Sequence, residues 1–274
     1  GRIMKLIDCF MYFDEDLVLD IRLNTLCNIV DKFVIVEATT DHAGNQKKLN
    51  FNKKNFKKFE NKIHYIVDQN LPEQVSFFKK NWRPEWHREN AQRNKLEVGY
   101  ADCSDEDLIM ISDIDEIPNP KKIKDFDLNY NYGCFMQMNF QSKINLLNMD
   151  LKSWPGTKIC KKRNLKSPQW LRNIKIKKRP FWKFYKPKQP QLIYDGGWHF
   201  SFLKSPENIS LKIKSYVHQE HNKEKFTNIE NIKKRIYDKE DIFGRNFNYK
   251  PIKIDDTFPS YISSNKERFK NWII

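Results

Sequence analysis

The sequence predicts an α/β domain, Rossmann-like, with a central and mostly parallel sheet flanked by helices. Three observations carry that prediction. Residues 108–111 (LIMI) are apolar without alternation, the pattern of a strand buried on both faces. Residues 5–38 contain a short strand (KLIDCF), a helical stripe of Leu19, Leu23, Leu26 and Val30, and a second buried strand (FVIVEA). Acids follow the apolar runs: Glu37 after the second strand, and Asp113, Asp115 and Glu116 after residue 111. Open α/β sheets bind ligands beyond the carboxyl ends of their strands.

The first strand leads into Asp14, Glu15 and Asp16, acids suited to a helix N-terminus, and a helix is expected over residues 15–30. Residues 39–46 (TTDHAGNQ) form a polar, Gly-containing loop, either a solvated turn or a flap over a ligand. Residues 63–67 (IHYIV) predict a third strand, in which His64 reads as a structural histidine. A polar helix is expected over 82–100, with Pro84 near its start, where proline is tolerated. Arg88, Gln92 and Lys95 share one of its faces, and Glu89, Arg93 and Glu97 another. This helix leads into the 108–112 strand, so Arg88 or Arg93 meeting a diphosphate near the acids is one reading and a solvated face the other. Further strands are expected at 133–140 and 192–195, helices at 206–219 and 225–237, and an amphipathic turn docking after Phe258.

Composition bounds the rest. A chain of 274 residues with 39% hydrophobic and 14% aromatic residues is not disordered and can bury a proper core. Fifty Lys and Arg against 35 Asp and Glu give a formal charge of +15, which points to an anionic partner. An Asn/Ile/Lys-rich composition accounts for the charge equally well. Five scattered cysteines without CxxC spacing read as reduced thiols, not as a disulfide framework or zinc site. No stretch approaches the roughly 20 apolar residues of a membrane span, and no secretory signal is evident. The expectation is therefore a cytoplasmic protein, peripheral to the inner membrane face if membrane-associated. Residues 1–3 precede Met4 as an expression scar would, leaving 4–274 as a single domain.

Two motifs carry chemistry. In SDIDEIP (residues 112–118), three carboxylates crowd into four positions before Pro118. Their repulsion needs a counter-charge, and a divalent cation carrying phosphate is an economical one, since hard oxygen ligands suit Mg²⁺ or Mn²⁺. An acidic turn after a strand is the plainer reading. In DGGWHFSFL (195–203), Asp195, Trp198 and His199 offer a general base, a stacking wall and a metal ligand. Further on, His218, Glu220 and His221 form a polar cluster with a structural reading and a metal- or acceptor-contact reading. No GxGxxG or GxxxxGK[ST] is present, which argues against dinucleotide and P-loop sites. Residues 150–190 are rich in cations, prolines and three of the seven tryptophans. They suit a charged loop region, a sugar-stacking surface, or a non-catalytic module binding nucleic acid or another polyanion.

The series MYFDEDLVLDIRLNTL, DKFVIVEATTDHAG, SDIDEIP, DGGWHFSFL and SYVHQEHN, in this order and spacing, resembles glycosyltransferase family 17. That is the family of β-1,4-mannosyl-glycoprotein 4-β-N-acetylglucosaminyltransferase. The resemblance runs from about residue 7 to 269, without the membrane anchor and stem of the animal enzymes. It implies a GT-A-type fold and metal-dependent, inverting transfer from a UDP-sugar, UDP-GlcNAc in the characterised member. The acceptor would be an oligosaccharide, glycoprotein or lipid-linked glycan, with no nucleic-acid partner. On this reading residues 4–118 form the nucleotide-sugar half and 119–274 the acceptor half. Asp115 and Asp113 would hold Mn²⁺ or Mg²⁺, with His199, or else His218, as the protein ligand from the far side. Arg88, Gln92 and Arg93 would face the diphosphate, Glu37 and the loop from Phe10 to Phe13 the nucleoside, and Trp198 the sugar. Asp195 would be the base, with Glu116 and Glu220 behind it.

Overall fold

The computed structural model describes residues 3–69, 84–176, 182, 190–215 and 224–274. Its first half builds four parallel strands in the order β3-β2-β1-β4. These are β1 (Leu6–Met11), β2 (Lys32–Ala38), β3 (Ile63–Asp68) and β4 (Leu108–Ser112). Helix α1 (Asp16–Leu26) connects β1 to β2, while α2 (Pro84–Asn94) and α3 (Glu97–Tyr100) precede β4. The single helix expected over 82–100 is therefore two, and residues 70–83 lie outside the described residues.

Beyond β4 the sheet changes character. The short β5 (Glu116–Pro118) is followed by β6 (Gly133–Gln141), β7 (Leu146–Asn148) and β8 (Ser153–Lys161). Helix α4 (Pro168–Arg172), β9 (Gln191–Ile193) and β10 (Gly197–Ser201) come next. The remaining elements are α5 (Pro206–Lys214), α6 (Glu224–Thr227), α7 (Ile229–Tyr237), β11 (Tyr249–Pro251) and α8 (Ser260–Ser263). Strand β8 pairs antiparallel with both β4 and β6, and the sheet continues through β7 to β11. Strand β10 runs parallel to β6 and antiparallel to β5, while β9 runs parallel to β6. Among the described residues the sheet has eleven strands. Residues 153–161 are thus a sheet strand where a charged loop region was one expectation. The Lys158 ammonium turns inward to the carbonyls of Arg172 and Ile174, and burial lowers its pKa to about 8.

Both sheet faces are covered, which is why β2 and β4 read as near-continuous apolar runs and β1 is interrupted only by Asp8. One face packs Phe10, Phe33, Ile35 and Met110 against Leu19 and Leu23 of α1 and against Phe258, Ile262 and Phe269 near the chain's end. The other packs Ile7, Cys9, Val34, Val36, Ile109 and Ile111 against Leu96, Tyr100 and Leu171. A third cluster, of Phe202, Ile209, Ile213, Ile232, Ile242 and Phe243, joins α5 and α7 beside the strand ends. All five cysteines are free thiols. Among the described residues no helix is long and apolar enough to cross a membrane.

One charged pair lies in the middle of the first face. Asp8 of β1 and Arg22 of α1 are both fully buried, joined through Nε at 2.8 Å and Nη2 at 2.7 Å. Arg22 Nη1 donates to the carbonyls of Ile114 (3.1 Å) and Glu116 (2.5 Å), and its guanidinium lies over the Phe10 ring. A buried ion pair is tolerated when its geometry is bidentate and its remaining donors are satisfied. Here the satisfied donors hold the backbone of the acidic motif.

Candidate active site

The carboxylates of the motif diverge in role as soon as the strand ends. Asp113 accepts from Arg93 of α2 at 3.2 Å and from Arg172 of α4 at 3.0 Å, one guanidinium on each oxygen. Burial alone would raise its pKa, but the two guanidiniums override that and hold the carboxyl well below the usual range. Glu116 is fully buried. Its Oε1 accepts from the Asp113 backbone N–H at 2.7 Å, and its Oε2 from the Trp154 indole at 2.7 Å and Arg172 at 3.2 Å. Burial pushes its pKa up, with Arg172 pulling the other way.

Asp115 turns to the opposite side and meets His199 of β10, with Oδ1 3.5 Å from Nε2. Burial would raise the Asp115 pKa, and the charge that His199 carries when protonated brings it below the ordinary value. The other ring nitrogen, Nδ1, is 2.9 Å from Asn139 Oδ1. Asn139 Nδ2 donates to the Leu151 carbonyl at 3.0 Å, which fixes the amide orientation and makes Oδ1 the acceptor. The ring proton therefore sits on Nδ1. In the neutral ring Nε2 keeps its lone pair facing a carboxylate oxygen, at a separation longer than a hydrogen bond. Two electron-pair donors facing each other in a buried site suit a cation between them, with the Nδ1 partner orienting the ligand. Among the described residues no group of three or more His, Cys, Asp or Glu side chains is arranged around one point. A one-carboxylate, one-imidazole set still fits Mg²⁺ or Mn²⁺, which complete their shells with water and substrate phosphates.

These groups open on a cleft of about 300 Å³ at the carboxyl ends of the parallel strands. That volume is at the lower end for a small-molecule site. One wall comes from the first half: Met11, Tyr12 and Phe13 after β1, Thr40 to His42 after β2, and Gln92 and Arg93 of α2. Gln92 Oε1 and His42 Nε2 are hydrogen-bonded at 2.9 Å, tying the 39–46 loop to α2. The far wall comes from the second half: Asn139, Gln141, Trp154, His199, Phe202, Lys212, Phe243, Arg245, Phe247 and Tyr249.

The structure brings Asp113, Asp115, His199, Gln92 and Arg93 to this cleft and redirects the other expected site residues. Asp113 lines it with one guanidinium on each carboxylate oxygen, so any metal contact there would be shared with Arg93 and Arg172. Phe10 is sealed beneath Arg22, and residues 11–13 supply the wall instead. Glu37 is fully buried, its carboxylate taken by Lys47, the backbone of Asn50 and Phe51, and the Tyr65 hydroxyl. It anchors the loop after β2 and presents no oxygen to a nucleoside. Arg88 reaches the His42 carbonyl behind that loop. Asp195 is exposed in the turn before β10 and is not among the residues that line the cleft. Glu116 is excluded by its buried, fully occupied carboxylate. Trp198 points away, donating to the Thr257 carbonyl within the core, because consecutive strand residues face opposite sides. Glu220, His218 and His221 lie outside the described residues.

The aromatic ring beside His199 is Trp154, stacked 4.4 Å away at 17°. Trp154, Asn139, Arg22 and Arg172 escaped the sequence reading. Each meets the motif only through long-range pairing, and no local spacing marks any of them.

No curated protein matches the chain. The family model described as glycosyltransferase family 17 matches residues 2–252, nearly the whole chain. That match sets aside a non-catalytic polyanion-binding module as the protein's principal role. A cleft at the carboxyl ends of parallel strands, with a carboxylate and an oriented imidazole at its floor, agrees with it. The chain belongs to glycosyltransferase family 17 and is a glycosyltransferase.

Proposed function

We propose that the cleft binds a UDP-sugar, UDP-GlcNAc first among them, together with Mn²⁺ or Mg²⁺, on a GT-A-type framework. The sugar is passed with inversion to a hydroxyl of an oligosaccharide, glycoprotein or lipid-linked glycan, in the building of a surface glycan. The observation that carries this reading is the Asp115–His199 pair, aimed by Asn139 and set beside two arginines.

Asp115 Oδ1 and His199 Nε2 would hold the ion, which when bound neutralises charge on the departing diphosphate. Arg93 and Arg172 fix the Asp113 carboxylate and add positive potential at the floor of the cleft. Residues 11–13 and 40–42 enclose the nucleoside, so residues 4–118 serve the donor and 119–274 the acceptor. Inversion in one displacement needs a base for the acceptor hydroxyl. Of the three carboxylates considered from the sequence, Glu220, which lies outside the described residues, is the base proposed. A charge of +15 supports a peripheral seat on an anionic membrane surface in the cytoplasm.

The test is calorimetric titration of UDP and then of UDP-sugars, with and without Mn²⁺, on wild type and Asp115→Asn. Binding that needs both the metal and Asp115 supports the donor site, and the ranking of sugars names the donor. Equal binding by the variant would sink the metal assignment.

A further inference from the structure

The indole of Trp154 joins two parts of the motif that the chain keeps apart. Trp154 lies opposite Gln137 across the β8–β6 pair, and His199 opposite Asn139 across the β6–β10 pair. Gln137 and Asn139 are two apart on β6 and so share a face, which puts Trp154 and His199 diagonally across that strand. The indole stacks on the imidazole at 4.4 Å and 17°. Its Nε1–H donates to Glu116 Oε2 at 2.7 Å, and Glu116 is itself fixed by the Asp113 backbone and Arg172.

We infer that Trp154 is the positioning residue for His199, and that the third acid of the motif acts by holding this indole. Asn139 restrains the imidazole at its Nδ1 edge and Trp154 restrains it on its face. The ring is left with one orientation, in which Nε2 points at Asp115. This gives Glu116 a role that needs no contact with substrate, and it fits a carboxylate buried away from the cleft. The inference rests on the Asp115–His199 metal reading for its consequence, though not for its geometry.

Two measurements separate these. In metal-free protein, ¹⁵N-imidazole spectra should show His199 in wild type as one Nδ1–H tautomer. Trp154→Leu, which removes both the aromatic face and the indole N–H, should show exchange broadening or mixed tautomers. Titration of Mn²⁺, followed by the electron-paramagnetic signal of the free ion, should show affinity weakened about 10–100-fold in Trp154→Leu, the range for loss of a group that orients a metal ligand. Trp154→Phe, which retains a stacking face but not the N–H that Glu116 holds, should restore part of it. A Trp154→Leu protein with wild-type His199 signals, or with Mn²⁺ affinity equal to Trp154→Phe, would overturn the assignment and leave Trp154 as cleft wall. No Mn²⁺ binding by wild type would overturn the metal reading instead, while the His199 spectra would still decide the role of Trp154.

Discussion

Arg22 donates to Asp8 through Nε and Nη2 and to the motif's carbonyls through Nη1, so one side chain couples strand β1, helix α1 and the acidic turn. A lysine at this position keeps the charge but cannot reproduce the fork. Arg22→Met, which leaves Asp8 buried without its partner, is expected to cost about 3–5 kcal/mol of stability, the usual penalty for removing one side of a buried pair. Urea unfolding would measure it, and a loss under 1 kcal/mol would contradict the picture. At this scale the sequence showed the motif and His199 but misassigned their neighbours. Asp195 and Trp198 stand within a few residues of His199, yet strand alternation and a turn send them elsewhere. Glu37 has the position of a ribose-binding acid, yet it is consumed by its own following loop. Proximity along a chain says little about which side chains converge.

Strand β10 shows how an element places its residue. Gly197 has φ +131°, and a Cβ there would come within 2.0 Å of the Ile117 carbonyl oxygen of β5. Only glycine allows β10 to pair this closely with β5 while presenting His199. Gly197→Ala should destabilise the fold by about 1–3 kcal/mol, as overpacking against fixed backbone does, and should weaken Mn²⁺ binding by displacing His199. Thermal unfolding alongside metal titration tests both. The segment after α7 is tied down by Asp241, buried and bonded to Arg245, Tyr249 and Gln141. Burial alone would raise its pKa, but Arg245 and the Tyr249 hydroxyl more than offset this. A carboxyl lowered on folding adds stability above its unfolded value of about 4 and loses it as pH falls through the folded value. Asp241→Asn should therefore flatten the acid limb of a stability–pH curve below about pH 4, relative to wild type. The parallel strands were legible because both faces are covered and their apolar runs are near-continuous. Strand β8 was not, because Pro155, Gly156 and Lys158 are poor strand formers that the neighbouring β4 and β6 hold in place.

At the scale of the molecule the cleft is shared by both halves, so a ligand in it stabilises the whole fold. UDP with Mn²⁺ at about 100 times its dissociation constant should add about 2.7 kcal/mol. For a chain of 274 residues that is a rise of about 5 °C in Tm. Differential scanning fluorimetry should show the rise in wild type and lose its Mn²⁺-dependent part in Asp115→Asn. The family was legible from five short motifs in order, four of which lie on strands or at their ends. The acceptor was not, because the far wall is assembled from residues between 139 and 249 whose neighbours in space are distant in sequence.

The packing of residues 258–269 against α1 has a consequence for how the protein is made. Phe258, Ile262 and Phe269 cover the same apolar face that Leu19 and Leu23 present, and Tyr261 donates to Asp20 at 2.8 Å. The first helix emerges from the ribosome more than two hundred residues before its cover exists. During synthesis the nascent first half therefore carries an open greasy flank, and chaperone occupancy should persist until residues 258–269 have been translated.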